Sequence, residues 1–337
     1  MLGIRQADLR DPQEAARLDA FVREHPGATP FHLTGWSRAV EGGCKQRARY
    51  LVAERANGSV AGVLPLTEMR SPLFGRALVS TGFGVGGGVL GDAVEELAAG
   101  AWHLAQRLGC PSVELRGGPD PAGWACDDQT YLGFARPLAA SDDAELLAIP
   151  RKQRAEVRRA LGNDLDVVTG AGSGHYRVYA ESVRNLGTPV FPAALFRAAA
   201  AELDTDILTV RHAGKPVASV LSLYLNGTVY PYWGGGTAAA RGLRANDRMY
   251  FALMNHARQR GCTRFDFGRS KAGTGAAAFK KNWGFAPEPL TYWRKSDGPA
   301  RVVNPLDPRY ALMVRAWRRL PLPVANLVGP WIARGLG

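Results

Sequence analysis

Residues 60–66 read VAGVLPL and residues 217–223 read VASVLSL, identical at five of seven positions. Each is followed by an apolar stretch that ends in a glycine triplet, Gly86-Gly87-Gly88 in one case and Gly234-Gly235-Gly236 in the other. Each triplet leads into a helical pattern that stops at Gly-Cys (Gly109-Cys110, Gly261-Cys262). Four residues after each cysteine a carboxylate, Glu114 or Asp266, stands in a short strand pattern. A 337-residue chain that runs through hairpin, glycine-rich loop, helix and strand twice predicts an α+β fold of two tandem, related domains arising from an internal duplication.

Working outward, alternating stretches at 49–55 and 59–68 flank Asn57-Gly58, a hairpin signal, and 206–212 with 216–225 repeat it. Further strands are expected at 76–90, 112–116, 228–234, 263–267 and near 290–294. Helices are expected from Asp11-Pro12, from near Thr34 (carrying Trp36), and from Asp92 as N-cap through Leu108. Others fall at 150–161, 175–187 and 193–203, the last two separated by Pro189 and Pro192, and one capped by Asn246 or Asp247 runs to Arg260. Residues 117–145 read as turn-rich and close the first half. The division is an N-terminal domain 1–148, a C-terminal domain 149–297 and a basic amphipathic tail 298–337. That tail carries Trp317, Leu320, Leu322, Leu327, Trp331 and Ile332 among arginines, which suits either an interfacial segment or one packed on its own protein.

The formal net charge is +12, from 42 Lys+Arg against 30 Asp+Glu, and favours an anionic partner. Part of it reflects a general richness in arginine. Four cysteines without a CxxC argue against a disulfide framework and fit a reducing cytoplasm. Six histidines without HExxH spacing give no support for a metal site. The polar start, MLGIRQADLRDPQEAARLDAF, does not resemble a signal peptide, and no apolar run is long enough to span a bilayer.

Several motifs fail on their mechanics. Gly82-Phe-Gly84-Val-Gly86-Gly87 matches GxGxxG, but a dinucleotide site needs the helix to begin at the last glycine, and residues 88–91 intervene. Ser270 in GRSKAG is not a hydrolase elbow. What remains is the stretch from Tyr230 to Trp293. Tyr232 and Trp233, with Tyr230, can wall a cleft or fill a core, and the glycines after them permit close backbone approach. Asp266 sits between Phe265 and Phe267 and so faces the other side of its strand. Its counterpart is Glu114, and a carboxylate in both copies can as well be an ion-pair partner as a catalyst. Lys280 and Lys281 follow a flexible AGTGAAA stretch, where one lysine can face a developing oxyanion and both can equally be surface residues. Arg151, Arg154 and Arg158 put cations on a helix that is either solvated or lines an anion; RNA is a further candidate ligand.

The order strand–GGG–RGLRAND–helix–GC–FDFGRS–KAGTG–AAAFKKNWGF–LTYW resembles the FemAB-like branch of the GNAT acyltransferase superfamily, in particular the FemAB-related proteins of exosortase/PEP-CTERM and exopolysaccharide systems. The resemblance covers about residues 30–295 and includes the duplication. It implies transfer of an acyl or aminoacyl group onto an amine of a cell-envelope precursor such as that of peptidoglycan, at the cytoplasmic face of the membrane. It places the family's Phe-Lys pair on Phe279 and Lys280. No tightly bound cofactor is expected; acyl-CoA or aminoacyl-tRNA is the donor. The sequence departs from the family of CoA-using enzymes at Arg241-Gly-Leu-Arg244-Ala245, where Arg244 replaces the glycine of the pyrophosphate loop.

From these residues the expected catalytic groups are Lys280, Asp266 and Asp247. Trp36, Tyr232, Trp233, Asn246, Tyr250, Arg269, Ser270, Phe279, Lys281 and Trp283 are expected to bind substrate, with Arg151, Arg154 and Arg158 as candidates for its phosphates. The expected partner is an anionic or lipid-linked precursor, with peripheral membrane contact through the tail. The competing class is a catalytically inactive GNAT-like module that binds such a precursor. Any chemistry is expected in the second copy, on its face toward the first, and the first copy's glycine-rich 82–91 loop is expected to form a wall or lid.

Overall fold

The computed structural model describes residues 2–170, 174–298 and 311–337. The first half comprises β1 (Gly3–Gln6), α1 (Pro12–Glu24), α2 (Thr34–Cys44), β2 (Arg47–Glu54), β3 (Val60–Ser71), β4 (Gly75–Ser80), β5 (Leu90–Gly91), α3 (Val94–Leu108), β6 (Ser112–Arg116) and β7 (Ala125–Pro137). Then follow α4 (Asp142–Ala148), α5 (Arg151–Leu161), β8 (Asp166–Thr169), α6 (His175–Leu186), α7 (Ala193–Glu202), β9 (Thr205–His212) and β10 (Lys215–Leu225). The remainder is β11 (Thr228–Gly236), α8 (Ala240–Leu243), α9 (Ala245–Gln259), β12 (Arg264–Lys271), α10 (Gly275–Asn282), β13 (Glu288–Ser296), α11 (Ala311–Arg319) and α12 (Leu322–Ala333).

The duplicated segments form equivalent elements. VAGVLPL lies in β3, paired antiparallel with β2, and VASVLSL lies in β10, paired antiparallel with β9. The helix between each glycine-rich stretch and each Gly-Cys is α3 or α9. Gly109 caps α3 at φ 63°, and Gly261 follows α9 at φ 80°, the left-handed conformation that ends a helix cheaply only at glycine. Cys110 and Cys262 are buried, and all four cysteines are free.

One sheet unites the copies in the order β1-β2-β3-β4-β6-β13-β7-β12-β11-β10-β9-β8, with β5 alongside β3. Its centre is an exchange. The first half's last strand, β7, pairs with β12 of the second half, and the second half's β13 pairs with β6 of the first; β7 and β13 also pair with each other. This corrects the reading of 117–145 as turn-rich. Asp127, Asp128 and Gly133 look like turn residues, yet Asp127 pairs with Tyr292 of β13 and Tyr131–Gly133 pair on both sides, which overrides weak strand propensity.

Two cap expectations also change. Asp92 is not the N-cap of α3, which begins after Ala93, and instead its carboxylate pairs with Arg55 at 3.3 Å. The cap of α9 is Arg244, at φ 54°, so Asn246 and Asp247 lie in the first turn.

Three apolar clusters fill the molecule. One packs α3 on the first half's strands (Leu64, Leu66, Leu97, Val113). A second packs α9 and α10 on the second half's (Met249, Leu253, Phe265, Trp283). The third draws on both halves, bringing Leu18, Trp36 and Tyr50 against Leu195, Phe196 and Trp233. Trp36 is fully buried, edge-on to Phe31 and Tyr232 and stacked on Trp233 at 5.9 Å, with its indole N–H donating to Gly82 O.

The halves also meet through α2 and α7. Gly35, Ala39 and Gly43 recur every four residues and put one small face on α2. A Cβ on Gly35 would lie 2.6 Å from Glu202 O, and one on Gly43 would overlap Leu195 Cα and stand 2.7 Å from its backbone nitrogen.

Residues 299–310 of the expected tail lie outside the described residues. The rest forms α11 and α12, whose inner face packs on the protein. Ala325, Gly329 and Ala333 are buried, Gln46 Nε2 donates to Arg334 O at 2.8 Å, and Arg184 Nη1 donates to Leu320 O at 3.3 Å. Among the described residues no helix is long and apolar enough to cross a membrane.

Candidate active site

The site lies where paired parallel strands part. β4 and β6 run together only through Ser80 and Leu115, and β11 and β12 only through Val229 and Phe265. Beyond these points the chain ends diverge around a cavity of about 640 Å³. The first half lines it with Val85–Gly91 and Arg116–Pro119, and the second half with Tyr230–Tyr232, Gly234, Tyr250, Asp266–Arg269 and Lys280. The exchanged β13 adds Leu290 and Tyr292.

A β-bulge prepares the second half's wall. Against β7, Asp266 faces Ala135 and Arg269 faces Gly133, so three steps of β12 span two of its neighbour. Gly268 accommodates the extra residue at φ 65°. Its N–H donates to Asp266 Oδ1 at 2.8 Å, and the carbonyls of Gly268 and Arg269 accept from Lys280 Nζ at 3.1 and 2.9 Å.

Lys280 projects from α10, whose first turn is capped by the Thr274 hydroxyl. The ammonium lies 5.3 Å from the ring centre of Phe134 and 5.7 Å from that of Phe267. Burial depresses its pKa to about 7, against the attraction of Asp266 and with the help of Arg269. An ammonium has three N–H donors. Two carbonyls occupy two of them, and the third has no partner among the described residues, in a side chain that lines the cavity.

The two mirrored carboxylates have different surroundings. Burial opposes the charge of Glu114, but Arg116 and Arg294, each bonded to it at 2.9 Å, hold its pKa below the usual range. Burial raises the pKa of Asp266, which makes no close arginine pair among the described residues; the Gly268 N–H and the more distant Arg264 and Lys280 offset only part of the effect. Glu114 is thus an ion-pair anchor, whereas Asp266 is a carboxyl shifted toward neutrality inside the cavity.

Arg116 donates to Glu114, Thr81 O and Gly84 O, Tyr292 donates to Val85 O at 3.2 Å, and Tyr232 donates to Phe83 O. The glycine-rich loop is therefore pinned over the cavity from both halves. Its glycines serve close packing: a Cβ on Gly88 would overlap the carbonyl of Gly117. Arg269 donates to the Tyr292 hydroxyl at 2.5 Å and stands 4.6 Å from the Tyr131 ring centre, with no carboxylate partner among the described residues. Arg116 and Arg269 also line a second space of about 400 Å³, bounded by Arg294 and by Gly335–Gly337.

Of the residues expected from sequence, Lys280, Asp266, Arg269, Tyr232 and Tyr250 converge on the cavity. Trp36, Trp233 and Trp283 are fully or nearly fully buried core. Phe279 packs against Tyr250, Phe267 and Trp283 behind the lysine. Ser270 is buried and Lys281 is exposed. Asn246 faces Gly236 at the start of α9. Asp247 accepts from Gln153 Nε2 at 2.6 Å, and burial raises its pKa to about 6, but it is not among the cavity-lining residues. Arg151, Arg154 and Arg158 lie on α5, away from the cavity, with Arg154 bonded to the carbonyls of Leu147 and Ile149.

Among the lining residues not read from the sequence are Arg116, Tyr292 and His32. His32 accepts from the Thr29 N–H through Nδ1, lies 3.2 Å from Gly88 O through Nε2, and is kept neutral by burial, with its pKa lowered to about 4. Tyr292 stood within the quoted LTYW. The signal for Arg116 was its place two residues after the mirrored carboxylate. Among the described residues no cluster of His, Cys, Asp or Glu could hold a metal ion.

A model of the acetyltransferase (GNAT) domain matches residues 151–281. No curated protein sequence matches the chain. Among solved structures, FemX superposes with TM-score 0.67 at 17% identity, over 86% of this chain and 96% of that one. The C-terminal DUF2156 domain of a putative lysylphosphatidylglycerol synthetase from Agrobacterium fabrum gives 0.58 at 14%, over 85% and 92%. A tandem GNAT protein from the clavulanic acid biosynthesis pathway gives 0.54 at 15%, over 89% and 100%. At such identities the likeness is one of fold. This chain is therefore built from two GNAT-like domains, and the second matches the acetyltransferase (GNAT) family in sequence.

Proposed function

We propose that this chain is an N-acyltransferase that moves an acyl or aminoacyl group onto an amine of a cell-envelope or exopolysaccharide precursor. The observation that carries the reading is Lys280, an ammonium buried at a strand splay with one donor left for a ligand. The amine nitrogen forms a bond to the donor's carbonyl carbon, and the charge that develops on the carbonyl oxygen is met by Lys280. The bond to the donor's sulfur or ester oxygen then breaks. The proton lost by the amine passes to a base, for which Asp266 is suited by its raised pKa, and on to the leaving group.

An acyl-CoA donor has a precedent in this fold, since one solved neighbour is an N-myristoyltransferase with bound myristoyl-CoA; another neighbour is named a putative lysylphosphatidylglycerol synthetase. Arg244 bears on the choice. It adopts a left-handed conformation at φ 54°, while its Nε donates to Glu156 Oε2 at 2.5 Å. The turn before α9 thus carries a tethered cation. The same departure favours the alternative, a binding module without turnover. Native mass spectrometry with acyl-CoA and aminoacyl-tRNA, followed by an amine-dependent transfer assay, separates the two. Donor binding with transfer supports the enzyme, whereas precursor binding without any donor supports the module.

Arg269 supplies a further test. A cavity-facing guanidinium without a carboxylate partner among the described residues calls for an anion from the substrate. Arg269→Gln should weaken binding of inorganic pyrophosphate, measured by calorimetry, by about tenfold or more. Equal affinity in the two proteins would remove Arg269 from the substrate site.

A further inference from the structure

The outer face of α12 is apolar along its length. Val324, Leu327, Val328 and Trp331 recur at helical spacing and are 43%, 80%, 38% and 57% exposed, while the opposite stripe of Ala325, Gly329 and Ala333 is buried against the protein. The helix is therefore fixed by its small residues and presents its large ones. The preceding α11 adds Leu312 and Met313, 72% and 66% exposed, and the exposed Arg315, Arg318 and Arg319. Residues 311–337 contain four arginines and no Asp or Glu.

A surface meant only for water would not expose a tryptophan and a leucine at adjacent turns. A surface meant for a neutral protein groove would not need a cluster of exposed cations on the element beside it, and among the described residues Arg315, Arg318 and Arg319 have no carboxylate partner. Large apolar side chains bordered by arginine match the two layers of an anionic bilayer, with acyl chains below and charged headgroups at the rim. We infer that α11 and α12 form a docking face for an anionic membrane surface, with Trp331 and Leu327 entering the acyl boundary and Arg315 and Arg319 meeting headgroup phosphates.

The segment that follows α12 returns to the site. Gly335 packs on Ser71 and Gly337 packs on Phe83, whose carbonyl accepts from Tyr232. Docking would thus hold the cavity loop beside the bilayer, where a lipid-linked substrate is presented. The inference stands on the helix pair alone and does not depend on the transfer reaction.

Its test is vesicle co-sedimentation of the full chain. With phosphatidylcholine and phosphatidylglycerol at about two to one, partitioning should exceed that on pure phosphatidylcholine by about tenfold or more. Leu327→Ser with Trp331→Ser should lower it by about tenfold or more. Arg315→Ser with Arg319→Ser should bring it down to the level of neutral vesicles. All four side chains are exposed, and an unchanged thermal melt verifies folding. Equal partitioning on both vesicle types would overturn the inference, as would full binding by the Leu327/Trp331 variant. So would a solution dimer that this variant dissolves while the wild type ignores vesicles, since the face would then belong to a second copy.

Discussion

Lys280→Ala is expected to lower kcat/KM for transfer by about a hundredfold to a thousandfold, the range measured when a single preorganised oxyanion donor is removed. Stability should change little, because the ammonium is buried against carbonyls without a close carboxylate and its charge is already disfavoured there. Near-wild-type turnover in a folded Lys280→Ala protein would end the proposed role. The pH profile gives a second readout. With a pKa of about 7, the charged form is complete below neutrality and is lost as pH rises through 7, so the contribution of Lys280 should fall along that limb. Lys280→Arg keeps its charge and should flatten the limb, even if the bulkier head lowers the absolute rate.

Gly43→Val should destabilise the protein by about 3 kcal/mol or more. The added Cβ would collide with the backbone of Leu195, which cannot turn aside as a side-chain tip can. Either α2 must lift from α7 or the chain must distort, and both open the core that Trp36, Phe196 and Trp233 share between the halves. Urea unfolding measures the loss. Gly42→Ala is the control: it lies on the same helix with nothing within 4 Å of the new methyl group, and should cost nothing. Equal midpoints for the two variants would mean that the helices part freely.

What the sequence revealed follows from where the information resides. The duplication was legible because hairpin alternation and Gly-Cys stops are local signals, and these fell at their expected places, whereas Gly234–Gly236 complete β11 instead of forming a loop. The convergence of Lys280, Asp266, Arg269 and Tyr250 followed from a resemblance concentrated in 246–293. The exchange of β7 and β13 was not legible, since the partners of Ala125–Pro137 lie more than a hundred residues away in sequence. The same holds for the bulge at Asp266–Arg269, which exists only against β7. The small-residue face of Gly35, Ala39 and Gly43 was visible as a spacing but carried no sign of what it touched. Arg151, Arg154 and Arg158 suggest a phosphate site through charge density alone, although none of the three lines the cavity.

The crossed central strands bear on how such a molecule can be taken apart. A cut between β7 and α5 would leave the leading fragment with a long strand lacking both neighbours and with β6 exposed on one edge, while the trailing fragment would carry β13 in the same condition. Each piece would display the hydrogen-bonding edge that the other supplies. Such fragments are ill suited to life as independent modules and well suited to complementation: produced together, they should recognise each other by strand addition and rebuild the cavity at their seam.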